Sequence, residues 1–451
     1  MHVKDDALIE AARAVLEKNS RGSWTPPTSV TLYPHQWLWD SFFIAIGQRH
    51  YSILRAQDEI RSAFRAQWKN GMVPHIMFSE ESDYHAGPAL WKSSKSSLSA
   101  PESIETTGVT QPPVVAEATI QIGALLNETE RKEWYREMYP RILDWHQMLY
   151  RERDPREDGL VRILLPWESG MDNSPPLMEM LHKYAQSNKV RLMKATGLDQ
   201  WVELLRRDTK EVPAEERIST LDLHAIYDLV KSMRSKHYDY HKMLPGHKFQ
   251  VTDLAYNCIL IRANYHLKTI AETIGAELPA DIKHAMRVAP LSLETLWDER
   301  TQYYYSRDAI SGRLIKMPGV AALLPLYAVQ LPPERVQILL HHLHDPQKFA
   351  SKYPIPSAPL DSKYFNAHRY WQGPTWININ WLIIKGLERQ NEQHEADTLR
   401  KKTIALVKHT APHEGFYEYY SPLDGSVAGA PDFSWTAALI IDLLKTRSAS
   451  H

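Results

Sequence analysis

Apolar residues recur at the i, i+3, i+4 spacing of a helix face along nearly the whole of this 451-residue chain, and no other feature limits its fold as much. The first instance is Leu8, Ala11, Ala12, Val15 and Leu16, behind Asp5 and Asp6, which are placed to cap a helix. Similar stretches run at 40–47, 53–68, 114–126, 131–150, 192–205, 220–236, 252–274, 334–343, 375–389, 391–408 and 435–445. About twelve helices with alternately short and long connections predict an all-α chain whose helical hairpins bury one another's faces in an array or closed ring. Strand signals are few. Residues 302–306 and 313–315, on either side of 309–312, predict a small hairpin. Only 18 glycines argue against a turn-rich β architecture. Closed barrels often exceed the usual domain length, and 43% hydrophobic residues supply one large core, so residues 1–451 read as a single domain.

Lys and Arg number 53 against 54 Asp and Glu, which leaves no field for capturing nucleic acid or an anionic membrane. The opening MHVKDDALIE has neither a basic nor an apolar leader region, and nowhere do eighteen apolar residues run together. The single cysteine, Cys258, cannot form an internal disulfide and reads as a buried thiol. These features predict a soluble cytoplasmic protein. There is no G-x-S-x-G elbow, phosphate loop, G-x-G-x-x-G or H-E-x-x-H. His341, His342 and His344 lack ligand spacing with a carboxylate, so no metal is expected and they read as a partly exposed helix end.

Chemistry is concentrated in five long loops, at 19–39, 78–113, 153–176, 344–373 and 411–433, which hold most of the Pro, Gly, Trp and His. Loops of this length with high aromatic content are functional more often than disordered, so a site is expected where they meet at one mouth of the barrel. The chain has 14 Trp and 22 Tyr against 9 Phe, a bias toward rings with a polar handle that suits sugar binding. LPWESGMDNSP, 165–175, places Glu168 and Asp172 between Trp167 and a proline pair, where apolar neighbours favour a protonated carboxyl and hence a general acid. GFYEYYSPLDG, 415–425, holds Glu418 among tyrosines, with Glu414 and Asp424 as alternatives. One carboxylate from each of two distant loops is the minimum equipment of a glycosidase, although each residue alone serves equally as a cap or ion-pair partner.

Three further blocks look suited to holding a sugar. In YPHQWLWDSFF, Tyr33, Trp37 and Trp39 surround Asp40, which is an acceptor for sugar hydroxyls or else the N-cap of the next helix. Gln111 precedes a proline pair that opens a helix, and in YWQGPTWININW Trp371 and Trp376 flank Gln372 and Gly373. The 78–113 loop, with Tyr84 and Trp91 as anchors ahead of the Ser/Lys stretch at 92–99, is expected to act as a lid.

At these residues the chain resembles glycoside hydrolase family 63 and its trehalase-like relatives. The match runs through YPHQWLWDSFF with GMVPHI, TGVTQPPV, PWESGMDNSP, YWQGPTWININW, and FYEYYSPLDG with GAPDFSWTAAL, in that order over nearly the whole sequence. The resemblance implies an (α/α)6 barrel and inverting hydrolysis of α-glycosidic bonds, with Asp172 as general acid and Glu418 as general base. It further implies that Tyr33, Trp37, Asp40, Gln111, Trp167 and Gly170 line the sugar pocket. Tyr370, Trp371, Gln372 and Trp376 would complete it. Gln372 departs from the YWRGP of many relatives, which removes a fixed cation. In size the chain is most similar to compact hydrolases of glucosylglycerate and mannosylglycerate. A substrate of that kind carries a carboxylate, for which Arg206 and Tyr84 are the candidate partners. No cofactor is implied, since two carboxylates and a water suffice. The partner expected is thus a small anionic glycoside, not nucleic acid or membrane, and a homo-oligomer stays open. A neutral-substrate α-glucosidase or trehalase-like hydrolase is the alternative enzyme, and a non-catalytic sugar-binding barrel would have lost one of the two carboxylates.

Overall fold

Helix α2, Leu38–Gln48, follows α1, Asp5–Asn19, and is buried at all eleven of its positions, which requires neighbours on every side. The computed structural model describes residues 4–28, 32–79, 86–185, 212–213 and 219–446, and within these the neighbours form a ring. Helix α3 is Ile53–Phe64, α4 Val115–Gly123, α5 Glu128–Arg153, α6 Pro175–Ala185, α7 Thr220–Ser235 and α8 Leu254–Ile274. Helix α9 is Ala280–Leu293, α10 the single turn Pro325–Ala328, α11 Pro333–His344, α12 Ile377–Arg389, α13 Gln393–Glu414 and α14 Ser434–Lys445. Around the ring α2 packs on α4, α4 on α8, α8 on α10, α10 on α12, α12 on α14, and α14 back on α2. Helices α3, α5, α9 and α13 lean on this ring from outside, each packed on an inner partner adjacent in sequence, while α1 packs on α14 from the other end of the chain and α11 follows α10 in the same alternation. The result is an (α/α)6 barrel, with α6 and α7 inserted between α5 and α8 and packed on each other.

Local chemistry sets the ends of these helices. Asn127, Ser219 and Asp253 cap α5, α7 and α8 through side-chain oxygens that accept from backbone N–H groups, and Gly275 ends α8 in the left-handed region. Asp5 and Asp6 stand in the first turn of α1 rather than capping it, where they favour the positive end of the helix dipole. Asp40 likewise is not a cap: α2 begins at Leu38 with Trp37 at the N-cap.

Three of these fourteen helices escape the sequence periodicity, as do single turns at Pro88–Trp91, Ser93–Ser96 and Tyr240–Met243. Helix α10 is one turn opened by Pro325, α9 contains Pro290, and α6 begins inside the expected 153–176 loop with a proline at its first position. The helix expected at 192–205 lies outside the described residues. The predicted hairpin is shifted. The Tyr303–Tyr304 strand pairs with Trp297–Asp298, while Arg307–Asp308 pairs with Val251–Thr252 and only bridges to Leu314. Two more two-stranded ladders lie at the site end of the barrel, Gln36–Trp37 with Ile76–Met77 and Tyr417–Tyr420 with Val427–Pro431. Among the histidines, His342 is buried and stacks on Tyr303 at 3.9 Å, while His344 pairs with Glu395.

One polar belt reaches all six inner helices. Asp442 of α14 accepts from Trp381 Nε1 of α12 at 2.7 Å and pairs with Arg49, at the end of α2, at 2.7 Å. Arg49 also donates to Gln121 of α4 at 2.9 Å, and Gln121 donates to Glu117 at 2.8 Å. Glu117 in turn meets His266 of α8 at 2.7 Å and accepts from the Tyr327 hydroxyl of α10 at 2.9 Å. Burial opposes ionisation of Asp442, but His50, Arg49 and Trp381 outweigh it and lower its pKa from 3.8 to about 2. A carboxyl whose folded pKa is depressed adds stability above its unfolded pKa and loses it as pH falls through the folded value. Asp442→Asn should therefore cost about 3–5 kcal/mol at pH 7, as breaking a buried pair does. In urea titrations the gap to the wild type should narrow as pH falls from about 4 to about 2. An unchanged gap over that window would show that the charge of Asp442 is not what holds the belt.

Candidate active site

The Tyr417–Tyr420 and Val427–Pro431 strands carry Glu418 at an irregularity: Tyr417 pairs with Pro431 but Tyr419 with Ala428. Such a bulge re-aims one side chain, here Glu418. The Glu418 carboxylate is 2% exposed, accepts from the Ala430 N–H at 3.0 Å on Oε2, and accepts from the Tyr33 hydroxyl at 3.0 Å on Oε1. Gly429 makes room for it. Its φ is +75°, and a Cβ there would lie 2.6 Å from Glu418 Oε2. The alternatives do other work. Glu414 is exposed at the end of α13, and Asp424 accepts from the N–H and hydroxyl of Ser426 in the hairpin turn.

The 165–175 loop also separates its two carboxyls by task. Glu168 is fully buried, receives both Arg153 amino groups at 3.0 and 2.6 Å and accepts from the Leu164 N–H at 2.6 Å. The Arg153 guanidinium lies over the Tyr240 ring at 3.7 Å, so this pair fastens the loop to α5. Glu168 is therefore an anchor. Asp172 is half-buried beyond the left-handed turn at Gly170, where a Cβ would lie 2.5 Å from the Trp39 ring.

Asp40 ties the two loops together electrostatically. Burial raises its pKa well above the usual carboxylate range, and the Glu418 and then the Asp172 carboxylates raise it further, which places three acids around one site. The strand before Asp40 is fixed by a buried network in which the Ser62 hydroxyl donates to Gln36, while Gln36 donates to Ser41 and Ser41 to Glu59. Burial pushes Glu59 up to about 7 and His35 down to about 4, so His35 is neutral, with Nδ1 accepting from the Ser79 N–H.

The remaining sequence-derived residues gather at the same end. Trp37 meets Tyr33 edge-on at 5.2 Å, and Trp167 packs against Trp91 at 6.1 Å. Gln111 Oε1 accepts from the Trp39 N–H at 3.3 Å, beneath Asp40. Trp371 and Trp376 are each 1% exposed and stacked face to face at 3.8 Å, so those faces are committed to each other. Tyr370 adopts a left-handed φ of +44° and accepts from Trp376 Nε1 through its carbonyl at 2.9 Å. Gln372 is buried and donates to the Asn173 carbonyl at 3.0 Å. Tyr84 and Arg206 lie outside the described residues. Within the expected lid, residues 86–113 are fastened to the body. Trp91 is fully buried, its carbonyl accepts from the Tyr238 hydroxyl, and the His75 N–H donates to Val109. Sequence reasoning passed over Asn173 and Gly429, although each stands inside a quoted motif.

Residues 33–436 match the model of the mannosylglycerate hydrolase MGH1-like glycoside hydrolase domain. The chain belongs to that family. The matched span runs from Tyr33 to the first turn of α14 and so encloses the whole described site. A mannosylglycerate hydrolase of Thermus thermophilus is 36% identical, the alignment covering 95% of this chain and 98% of that one. The glucosylglycerate hydrolase of Mycolicibacterium hassiacum is 32% identical over 96% and 97%. A crystal structure of a family 63 mannosylglycerate hydrolase, also from Thermus thermophilus and in complex with Tris and D-glycerate, superposes with a TM-score of 0.86 at 35% identity, covering 98% of this chain and 100% of that one. No helix among the described residues is long and apolar enough to cross a membrane.

The bulge makes Gly429 a sensitive position for this family member. Gly429→Ala strains a positive φ and drives a methyl against Glu418, so kcat should fall by about 100-fold, as a misplacement of about 1 Å does. The far-ultraviolet circular dichroism should stay unchanged. Full activity in Gly429→Ala would show that Glu418 is not held where the reaction needs it.

Proposed function

We propose that the chain hydrolyses mannosylglycerate or glucosylglycerate to hexose and glycerate with inversion at the anomeric carbon. Asp172 donates a proton to the glycosidic oxygen as the C–O bond breaks, and Glu418 takes a proton from the water that attacks the opposite face. The observation that carries this reading is the convergence of Glu418, Asp172 and Asp40 on one site, with Glu418 fixed by Tyr33 and Ala430. Family membership and the glycerate seen in a relative support the substrate class. Asp40, whose ionisation is opposed by burial and by the Glu418 and Asp172 carboxylates, offers a sugar hydroxyl acceptor oxygens. Tyr33, Trp37, Trp167 and Tyr370 supply ring surface and polar edges, while Gln111, Gly170, Trp371, Gln372 and Trp376 hold the walls in place. No metal or cofactor enters this scheme. The lone buried Cys258 suits a reducing cytoplasm.

Hydrolysis of a panel of mannosylglycerate, glucosylglycerate, trehalose and short α-glucosides tests the substrate. A preference for the neutral sugars would replace this reading with that of an α-glucosidase. Proton NMR of the first-formed hexose should show the β-anomer, and an initial α-anomer would mean retention. Asp172→Asn and Glu418→Gln should each lower kcat by about 10²–10⁴-fold with the fold intact. If a guanidinium grips the glycerate carboxylate, Arg206→Ala should raise KM for the glycerate glycoside by roughly 10–100-fold and leave an aryl glycoside almost unaffected. Equal losses on the two substrates would assign Arg206 to the fold instead.

A further inference from the structure

We propose that the segment Trp371–Trp376 is the spacer that sets the separation of Asp172 and Glu418, and that Asn173 is its anchor on the acid side. This rests on the roles given to those two carboxyls above. At one end of the segment, the Trp371 N–H donates to Asn173 Oδ1 at 2.8 Å, and Gln372 Nε2 donates to the Asn173 carbonyl at 3.0 Å. Asn173 is 1% exposed and directly follows Asp172, so the acid cannot move along its loop without breaking both bonds. At the other end, Thr375 exchanges two backbone hydrogen bonds with Tyr420, of 2.7 and 3.1 Å, two residues beyond Glu418. Between the ends, the stacked Trp371 and Trp376 rings stiffen the segment, and Trp376 packs against Tyr419 at 4.7 Å. Gly373 ties it to the loop that precedes it. Its N–H donates to Ser357 Oγ at 2.9 Å, and a Cβ there would lie 2.3 Å from the Asn366 carbonyl oxygen.

Acid and base are thus fastened to the two ends of one short, braced element and not only to their separate loops. An inverting pair needs this because its carboxyls must leave space for a water between base and sugar while the acid reaches the leaving oxygen. Asn173 is accordingly a positioning residue that acts through Asp172.

The test depends on the leaving group. In a glycerate glycoside the departing oxygen needs the acid's proton. In the matching α-hexosyl fluoride water bonds to the anomeric carbon, the C–F bond breaks, fluoride leaves unprotonated and Glu418 takes the water's proton. Asn173→Ala should lower kcat on mannosylglycerate or glucosylglycerate by about 10–100-fold, since misplacement is costly, with KM within about threefold. On the fluoride the loss should stay below about threefold. Equal losses on the two substrates, or none on either, would overturn the proposal. Asn173→Ser, which retains an acceptor, should lie between the wild type and Asn173→Ala. Failure of both variants to fold would assign Asn173 to the fold and overturn the proposal as well. Asp172→Asn run in parallel tests the underlying reading separately, because equal losses there would reject Asp172 as the acid whatever Asn173 does.

Discussion

Closing six inner helices into a ring buries them on every side, and the polar belt through Asp442, Arg49, Gln121 and Glu117 is what makes that burial specific. Apolar packing alone has no direction, and helices as apolar as α2 and α14 offer it on every face. Charged groups inside such a ring stay only where each meets a partner, which fixes which helix faces which and in what rotation. Glu117 illustrates the balance. Burial opposes its charge, yet His266, Gln121 and Arg262 hold its carboxyl below the usual range.

At the site end of the barrel, the same reasoning distinguishes the surroundings of neighbouring carboxyls. Glu168 and Asp172 stand four residues apart, and the bidentate grip of Arg153 makes Glu168 part of the loop's attachment to α5. On the other hairpin Glu414 faces solvent at the end of a helix, while Glu418 turns inward because the partner strand contributes an extra residue opposite it. The chemistry at each position therefore comes from elements remote in sequence. Arg153 belongs to α5, Tyr33 to the loop before α2, and Ala430 to the strand leading into α14.

Site geometry is likewise a property of the barrel end and not of any one loop. Trp39 lies beneath Gly170, Gln111 holds the Trp39 backbone, and Asn173 joins the loop of Asp172 to the segment that pairs with the strand of Glu418. Trp371 and Trp376 are stacked on each other and buried, so ring count alone overstates the surface open to a ligand.

The sequence by itself determined the class of fold, since the 3.6-residue period of apolar positions in α1, α3, α5 and α8 survives any arrangement of the helices. It also confined the site to a few aromatic loops bearing carboxylates, because those residue types are there for reasons that the helical period cannot supply. The position of α10 in the inner ring was beyond it, since one turn is too short to show a period and forms only against α8 and α12. The shifted strand pairings had the same origin: two-residue ladders have no stability apart from the body that holds them. Only the tertiary structure gave carboxyls four residues apart different surroundings, because burial and partners such as Arg153 come from distant parts of the chain.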